Sequence, residues 1–253
     1  MLPVSAQTIH TDDTGLDVSA VGVRGADNVL VPAYRAQPKG NTHLPVIIVV
    51  HETFGVHEHI ADACRRFAKL GYMVIAPDLF IRQGDASAYK SMHSSQRAAR
   101  LESAGFAGAF RYRSDRQVGG RTRRQSEARG FRRVLLGRAY FVAVRRHNST
   151  LKAAVAFYER AVGNKTENTP NNPLDIVSQL KVPVFGLYER QDTLEQMKQA
   201  LANDPPPAKN SQFVVYDDAG HAFFADYRPN YRKADAEDAW KRALAWFREH
   251  SVK

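Results

Sequence analysis

A chain of 253 residues with 43% hydrophobic content is long enough to bury a large core in a single domain, and no apolar run is long enough to span a membrane. A single cysteine, Cys64, excludes an internal disulfide framework and any multi-cysteine metal site. The net charge of +10 would suggest an acidic partner if it were spread over the surface, but residues 97–146 hold 14 of the 25 arginines, no lysine and only three acids (Glu102, Asp115, Glu127), so this stretch carries +11 and the rest of the chain −1.

The start reads Met-Leu-Pro-Val-Ser-Ala. Val4-Ser5-Ala6 has the small-residue character of an export-signal end, but no basic and apolar stretch precedes it. The expected compartment is cytoplasmic, or periplasmic if a signal was trimmed. Residues 16–23 and 28–36 have strand composition around a Gly-Ala-Asp turn and read as a hairpin. "LPVIIVVHE" (44–52) is a continuous β-branched run, as in a strand buried on both faces of a parallel sheet. Residues 57–72 have helical spacing, with Ile60, Ala63, Cys64, Phe67, Ala68 and Leu70 on one face and Gly71 as terminator.

"MVIAPDLF" (73–80) is a second buried strand, and residues 151–158, 182–188 and 211–217 are three more. A helix of "TLEQMKQALAN" type lies between the last two, and residues 234–250 form an amphipathic closing helix. Strands alternating with helices predict a doubly wound, mostly parallel sheet flanked by helices, in one domain over 1–253. The block from about 93 to 146 does not join this pattern. Its apolar residues lack a sustained period, and an insertion of that size is unusual inside a compact domain. Only residues 134–144 have strand composition.

Ligands of parallel α/β sheets bind outside the carboxyl ends of the strands. His51-Glu52 follows the first buried strand, Asp192 follows "VFGLYERQ", and His221 follows "FVVYDDAG". Aspartate then histidine, each just past a late strand, is the chain order of an α/β-hydrolase triad whose nucleophile lies earlier. Each residue also has a plainer reading: Asp192 as a turn former, His221 as a surface histidine, Glu52 as a cap for the helix near residue 57.

The segments "VVHETFGVHEHI", "RRFAKLGYMVIAPDLFIRQGD", "LKAAVAFYERAVG", "VPVFGLYERQDT" and "YDDAGHAFFADYRP" together resemble the dienelactone hydrolase family over residues 12–96 and 147–250. The resemblance implies the α/β-hydrolase fold and cofactor-free opening of enol-lactones and related esters by a cysteine nucleophile on a sharp turn written Gly-Phe-Cys-Trp-Gly-Gly. It implies Asp192 and His221 as acid and base of the triad, Glu52 as a carboxylate contacting the thiol, and Arg82 as a binder of the substrate carboxylate. Some members carry a second such arginine four places after the histidine; here that place is Ala225. A small ester or lactone is the implied partner, with no metal, nucleic acid or membrane, in a monomer or dimer.

The nucleophile turn is missing from the text. No Cys, Ser or Thr occurs between residues 127 and 148, and Cys64 lies on the inward stripe of a helix. Back-translated with suitable codons and read from its second base, Val134–Arg146 gives Phe-Cys-Trp-Gly-Gly-Arg-Thr-Leu-Trp-Leu-Tyr-Ala-Ala. Residues from the low nineties to 146 therefore read as a frameshifted window, with the nucleophile expected near Leu135-Leu136. Two further readings follow from the literal text. One is a pseudoenzyme that binds esters without cleaving them. The other is a nucleic-acid-binding insertion, with arginines beside Phe110, Tyr112, Phe131, Tyr140 and Phe141; against it, natural basic patches mix lysine with arginine, and this stretch replaces a central strand.

Overall fold

The computed structural model describes residues 8–24, 29–52, 54–81, 117–118, 121–122, 133–136, 151–158, 162, 165, 172–176, 180, 182–189, 194–202 and 208–250. Strands β1 (Leu16–Arg24) and β2 (Leu30–Pro38) form the expected hairpin, in register from Leu16 opposite Pro38 to Arg24 opposite Leu30. There follow β3 (Val46–Val49), helix α1 (Glu58–Lys69) and β4 (Met73–Pro77). A short antiparallel pair, β5 (Gln117–Val118) and β6 (Arg121–Thr122), stands apart from the main sheet. After β7 (Arg133–Leu136) come β8 (Leu151–Phe157), the short helix α2 (Pro173–Ile176), β9 (Val184–Glu189), α3 (Leu194–Ala202), β10 (Gln212–Tyr216) and α4 (Lys233–Glu249).

The main sheet has eight strands in the order β1-β2-β4-β3-β7-β8-β9-β10. The pairs β1/β2 and β2/β4 are antiparallel, and every pair from β4 to β10 is parallel. The mostly parallel α/β architecture is thus present. The strand-like text after residue 133 occupies the central slot: Leu135 pairs with Ile48 on one side and Ala154 on the other, and Leu136 with Val49 and Val155.

Burial explains why β3 and β4 carry no polar alternation. Ile47 and Val49 of β3, with Val74 and Ala76 of β4, face one core together with Cys64, Phe67, Trp246 and Phe247 from α1 and α4. Val46, Ile48 and Val50, with Met73 and Ile75, face a second core that includes Met197 and Leu201 from α3. A strand buried on both faces is apolar at every position. Both strands are shorter than the apolar runs suggested. β3 stops at Val49 because the chain turns at His51 and Glu52, and β4 stops at Pro77, where the Asp78 N–H bonds back to Pro32 O at 2.8 Å.

Helix α1 ends as its sequence predicts. Gly71 takes φ +95, its N–H bonds to Ala68 O at 3.0 Å, and the Tyr72 N–H reaches Phe67 O at 3.3 Å. This is a Schellman stop, which favours glycine at the left-handed position. Cys64 is fully buried in the α1 core, and burial pushes its thiol well above the ordinary range, so it stays protonated. The helix also buries His59, Asp62 and Arg65, and the chain before β1 lies across them. Arg65 Nε donates to Thr11 O at 2.6 Å, the Thr11 N–H donates to Asp62, and Ile9 N–H donates to Asp226 Oδ2 at 2.9 Å. Arg66 holds the far side of Asp62, at 2.6 Å. Among the described residues no helix is long and apolar enough to cross a membrane.

Candidate active site

The carboxyl ends of β3, β7, β8, β9 and β10 lie side by side, and the sequence-predicted residues fall on them unevenly. Glu52 lies three residues beyond Val49, which is paired with Leu136 at the end of β7. His221 follows β10. The expected nucleophile position at Leu135-Leu136 is therefore on the strand next to Glu52. Asp192 and Arg82 lie outside the described residues.

Glu52 is fixed from its backbone outward. Its carbonyl accepts from His51 Nδ1 at 2.8 Å and from the Gly55 N–H at 3.0 Å. The tight turn puts Gly55 at φ +74, where a side chain would be strained. The His51 ring is buried, and its Nε2 accepts the Leu79 N–H at 2.8 Å. A backbone N–H can only donate, so Nε2 carries the lone pair and Nδ1 the proton: His51 is a neutral staple between the loops after β3 and β4. Burial holds its pKa below the ordinary imidazole value despite the Glu52 carbonyl and Asp78.

His51→Phe is expected to cost about 1–3 kcal/mol, mainly from the orphaned Leu79 N–H. Because the native ring resists protonation, the unfolded chain binds the extra proton as pH falls below about 6.5, and native stability is lost there. The variant should lose that part of the slope. Urea unfolding on either side of this pH measures both effects.

The Glu52 side chain does not cap α1, whose N-cap His57 makes no side-chain capping bond. Instead Oε1 accepts the Tyr227 hydroxyl and the His57 Nε2 at 3.3 Å. Oε2 is buried without a hydrogen-bond partner, 3.8 Å from an Arg228 terminal nitrogen. Burial would raise this carboxyl, but the His57 bond, the charges of His59 and His57, and the Tyr227 hydroxyl outweigh it and hold it well below the usual carboxylate range. Burial and the Glu52 charge push Tyr227 up, so its phenol remains the donor. Arg228 stacks between Phe54 and Tyr227, at 4.9 and 5.0 Å from their ring centroids. The result is an anchored carboxylate with one oxygen still able to accept a proton donor.

At the other end of the edge, the His221 side chain is 35% exposed and its Nδ1 lies 2.9 Å from Glu189 Oε1. A carboxylate only accepts, so Nδ1–H donates and the neutral ring keeps its lone pair on Nε2, as a general base requires. The Tyr158 ring meets the His221 ring edge-on at 5.4 Å. Two non-glycine residues here have left-handed backbone: Tyr158 at φ +37, just past β8, and Ala222 at φ +71, next to His221. Such conformations cost about 1–3 kcal/mol each and concentrate at functional sites. Ala225 is fully buried and lines the core. Among the described residues no group of three or more His, Cys, Asp or Glu side chains is arranged to hold a metal ion.

Sequence reasoning missed Glu189, Tyr227, His57 and Arg228. Glu189 is the last residue of β9, one strand over from Tyr216 at the end of β10, so its place at the carboxyl edge was available from the strand pattern. The contacts of Tyr227 and Arg228 with Glu52 span some 175 residues of chain and leave no local signal.

The model of the dienelactone hydrolase family matches residues 31–251. A "Putative carboxymethylenebutenolidase" of Methylorubrum extorquens is 41% identical over 262 residues, covering 99% of this chain and 87% of its own. A protein of the same name from Escherichia coli K12 is 39% identical, with 99% and 94% covered. The crystal structure of a "Putative Dienelactone Hydrolase" from Klebsiella pneumoniae superposes with a TM-score of 0.73 at 36% identity, covering 92% of this chain and 98% of that one.

Proposed function

We propose, for a chain that belongs to the dienelactone hydrolase family and has its α/β-hydrolase fold, hydrolysis of a small lactone or carboxylic ester through a cysteine that the sequence as written lacks. His221 is the general base. A carboxylate on its Nδ1 side, the role the family motif gives to Asp192, holds the tautomer. His221 takes the thiol proton and becomes the imidazolium, Glu52 Oε2 accepts a hydrogen bond from the thiol before that transfer, and Arg82 binds a substrate carboxylate. The thiolate attacks the carbonyl carbon and the alkoxide leaves with a proton from the imidazolium. Water then attacks the thioester, His221 takes its proton, and the acid departs as the thiolate is restored. Backbone N–H groups at the turn after β7 would hold the oxyanion. No cofactor is needed for this sequence of steps.

The observation that carries the reading is the arrangement of one sheet edge. A carboxylate-held histidine stands at one end and an anchored, half-satisfied glutamate at the other, with the end of β7 between their strands. For the polypeptide as written, lacking a nucleophile, the same cleft binds esters without turnover. Mass-spectrometric sequencing between Ser91 and Thr150, paired with an ester and lactone hydrolysis assay, separates the cases. Gly-Phe-Cys-Trp-Gly with turnover is the expected result. A cysteine-bearing chain that cleaves neither esters nor lactones would falsify the reading.

A further inference from the structure

We infer that Asp226 is a positioning residue for Glu52: it pins the histidine loop to α1 one residue before Tyr227, and so sets the hydroxyl that holds the glutamate. Its part in catalysis rests on the hydrolase reading above, but the anchoring of Glu52 does not. The Asp226 side chain is 3% exposed. Its Oδ1 accepts from His59 Nδ1 at 2.8 Å, its Oδ2 accepts the Ile9 N–H at 2.9 Å, and an Arg66 terminal nitrogen lies 3.6 Å from Oδ2. One carboxylate thus joins α1, the chain before β1 and the histidine loop. The next residue, Tyr227, donates its hydroxyl to Glu52 Oε1. A buried ion pair often adds little net stability; here it fixes a geometry.

Three features carry the restraint from Asp226 to Glu52. The Tyr227 ring packs against His59 at 5.5 Å and edge-on to His57 at 4.7 Å, so the imidazole that Asp226 holds is also a wall for the phenol. His57 donates its Nε2 proton to the same Oε1 at 3.3 Å. Its Nδ1 is buried with no hydrogen-bond partner, so that bond and the stack on His59, 6.1 Å away, set the angle of the ring. The loop on either side of Asp226 is tied to itself, with the Ala225 N–H on Ala222 O at 3.0 Å and the Arg228 N–H on Ala225 O at 2.9 Å. Both donors to Oε1 therefore lean on His59, and Asp226 holds His59. With Oε1 fixed in this way, Oε2 is the oxygen left to meet a thiol.

The test uses the chain as written, labelled with ¹³Cδ-glutamate, and follows the carboxyl carbons from about pH 7 to about pH 4, where an ordinary glutamate with a pKa of about 4.3 titrates. Glu52 is assigned by the loss of its signal in Glu52→Gln. Its carbon should stay flat in the parent, because the donors around it keep the carboxyl ionised, and should titrate in Asp226→Ala as it does in Tyr227→Phe. The Asp226 charge by itself opposes ionisation of Glu52, so its removal alone would act in the other direction. Asp226→Asn should stay flat. Its oxygen takes the Ile9 N–H, and its amide donates to Nδ1 of a His59 that carries its proton on Nε2, so the anchor survives without the charge.

A folded Asp226→Ala whose Glu52 carbon stays flat overturns the inference, and so does an Asp226→Asn that titrates like Asp226→Ala. If Asp226→Ala does not fold, Asp226→Glu decides in its place. It keeps the charge and both acceptor oxygens but displaces the loop by a methylene, so a flat Glu52 there also overturns the inference. In an enzyme with its cysteine restored, Asp226→Ala should lower kcat by up to about 10²-fold with little change in KM, and Asp226→Asn should lower it far less. If that enzyme proves inactive from the start, the hydrolase reading fails while the titration still judges Asp226.

Discussion

A chain expressed from a gene whose frame is restored across residues 93–146 is expected to hydrolyse a simple activated ester about 10⁴- to 10⁶-fold faster than the chain as written. The size follows from how a nucleophile and its base cooperate. Removing one member of such a unit costs nearly as much as removing all of them, and the residue left over comes from binding and oxyanion stabilisation alone. On the proposed mechanism, the text as written keeps the base His221 and lacks the attacking cysteine. The written chain should therefore sit near the rate of buffer plus weak binding, and His221→Ala should barely change it. In the restored chain the same substitution should remove nearly all of the gain. Initial rates for the four proteins at one substrate concentration below KM are sufficient. Equal rates for the written and restored chains would show that no cysteine in this region attacks the substrate.

The second large effect is on stability. Phe67→Ala is expected to lower the unfolding free energy by about 3–5 kcal/mol. Phe67 is fully buried, and its ring centroid lies 4.2 Å from that of Trp240, 6.1 Å from Phe247 and 6.2 Å from Tyr72. Those neighbours come from α4 and from the stop of α1, elements held by their own bonds, so the space left behind does not collapse. A loss of that size is a large share of an ordinary folding free energy of about 5–15 kcal/mol. At about 2–4 °C per kcal/mol for a domain of this length, the thermal midpoint should fall by roughly 6–20 °C. Leu70→Ala, at the C-cap of the same helix and 49% exposed, should stay within about 0.5 kcal/mol of the parent. Urea melts of the two variants make the comparison. A Phe67→Ala chain as stable as Leu70→Ala would mean that the α1–α4 contact is not part of the core.

What was legible in the sequence was what depends on local pattern. The double-faced burial of β3 and β4 is written as unbroken apolar runs, and the α1 stripe with its glycine stop is written at helical spacing. Glu52 and His221 were readable because position just past a strand is a sequence property. The partners of those residues were not. His57 shares its loop with Glu52, but Tyr227 and Arg228 reach that carboxylate from the far end of the chain, and nothing near either end marks the meeting.

The ends of β3 and β4 were overestimated for a related reason. Val50 past β3 and Leu79 and Phe80 past β4 are apolar enough to continue a strand, and the His51 ring ties the two following loops together by accepting the Leu79 N–H. Glu189 was hidden by its neighbours, since a carboxylate inside "YERQDT" is read as strand end or turn before it is read as a partner for a histidine 32 residues later.

The strap before β1 bears on the order in which the molecule is completed. Ile9 is made before the first strand, yet its N–H closes on Asp226, 217 positions later. At a synthesis rate of about 5–20 residues per second, roughly ten to forty seconds separate the two. Until then His59 and Arg66 of α1 wait for the same aspartate, which they meet at 2.8 and 3.6 Å. The last turn of the histidine loop and the strap before β1 thus lock in one step, late in assembly. The nascent protein cannot present a finished His221 loop before Asp226 has left the ribosome.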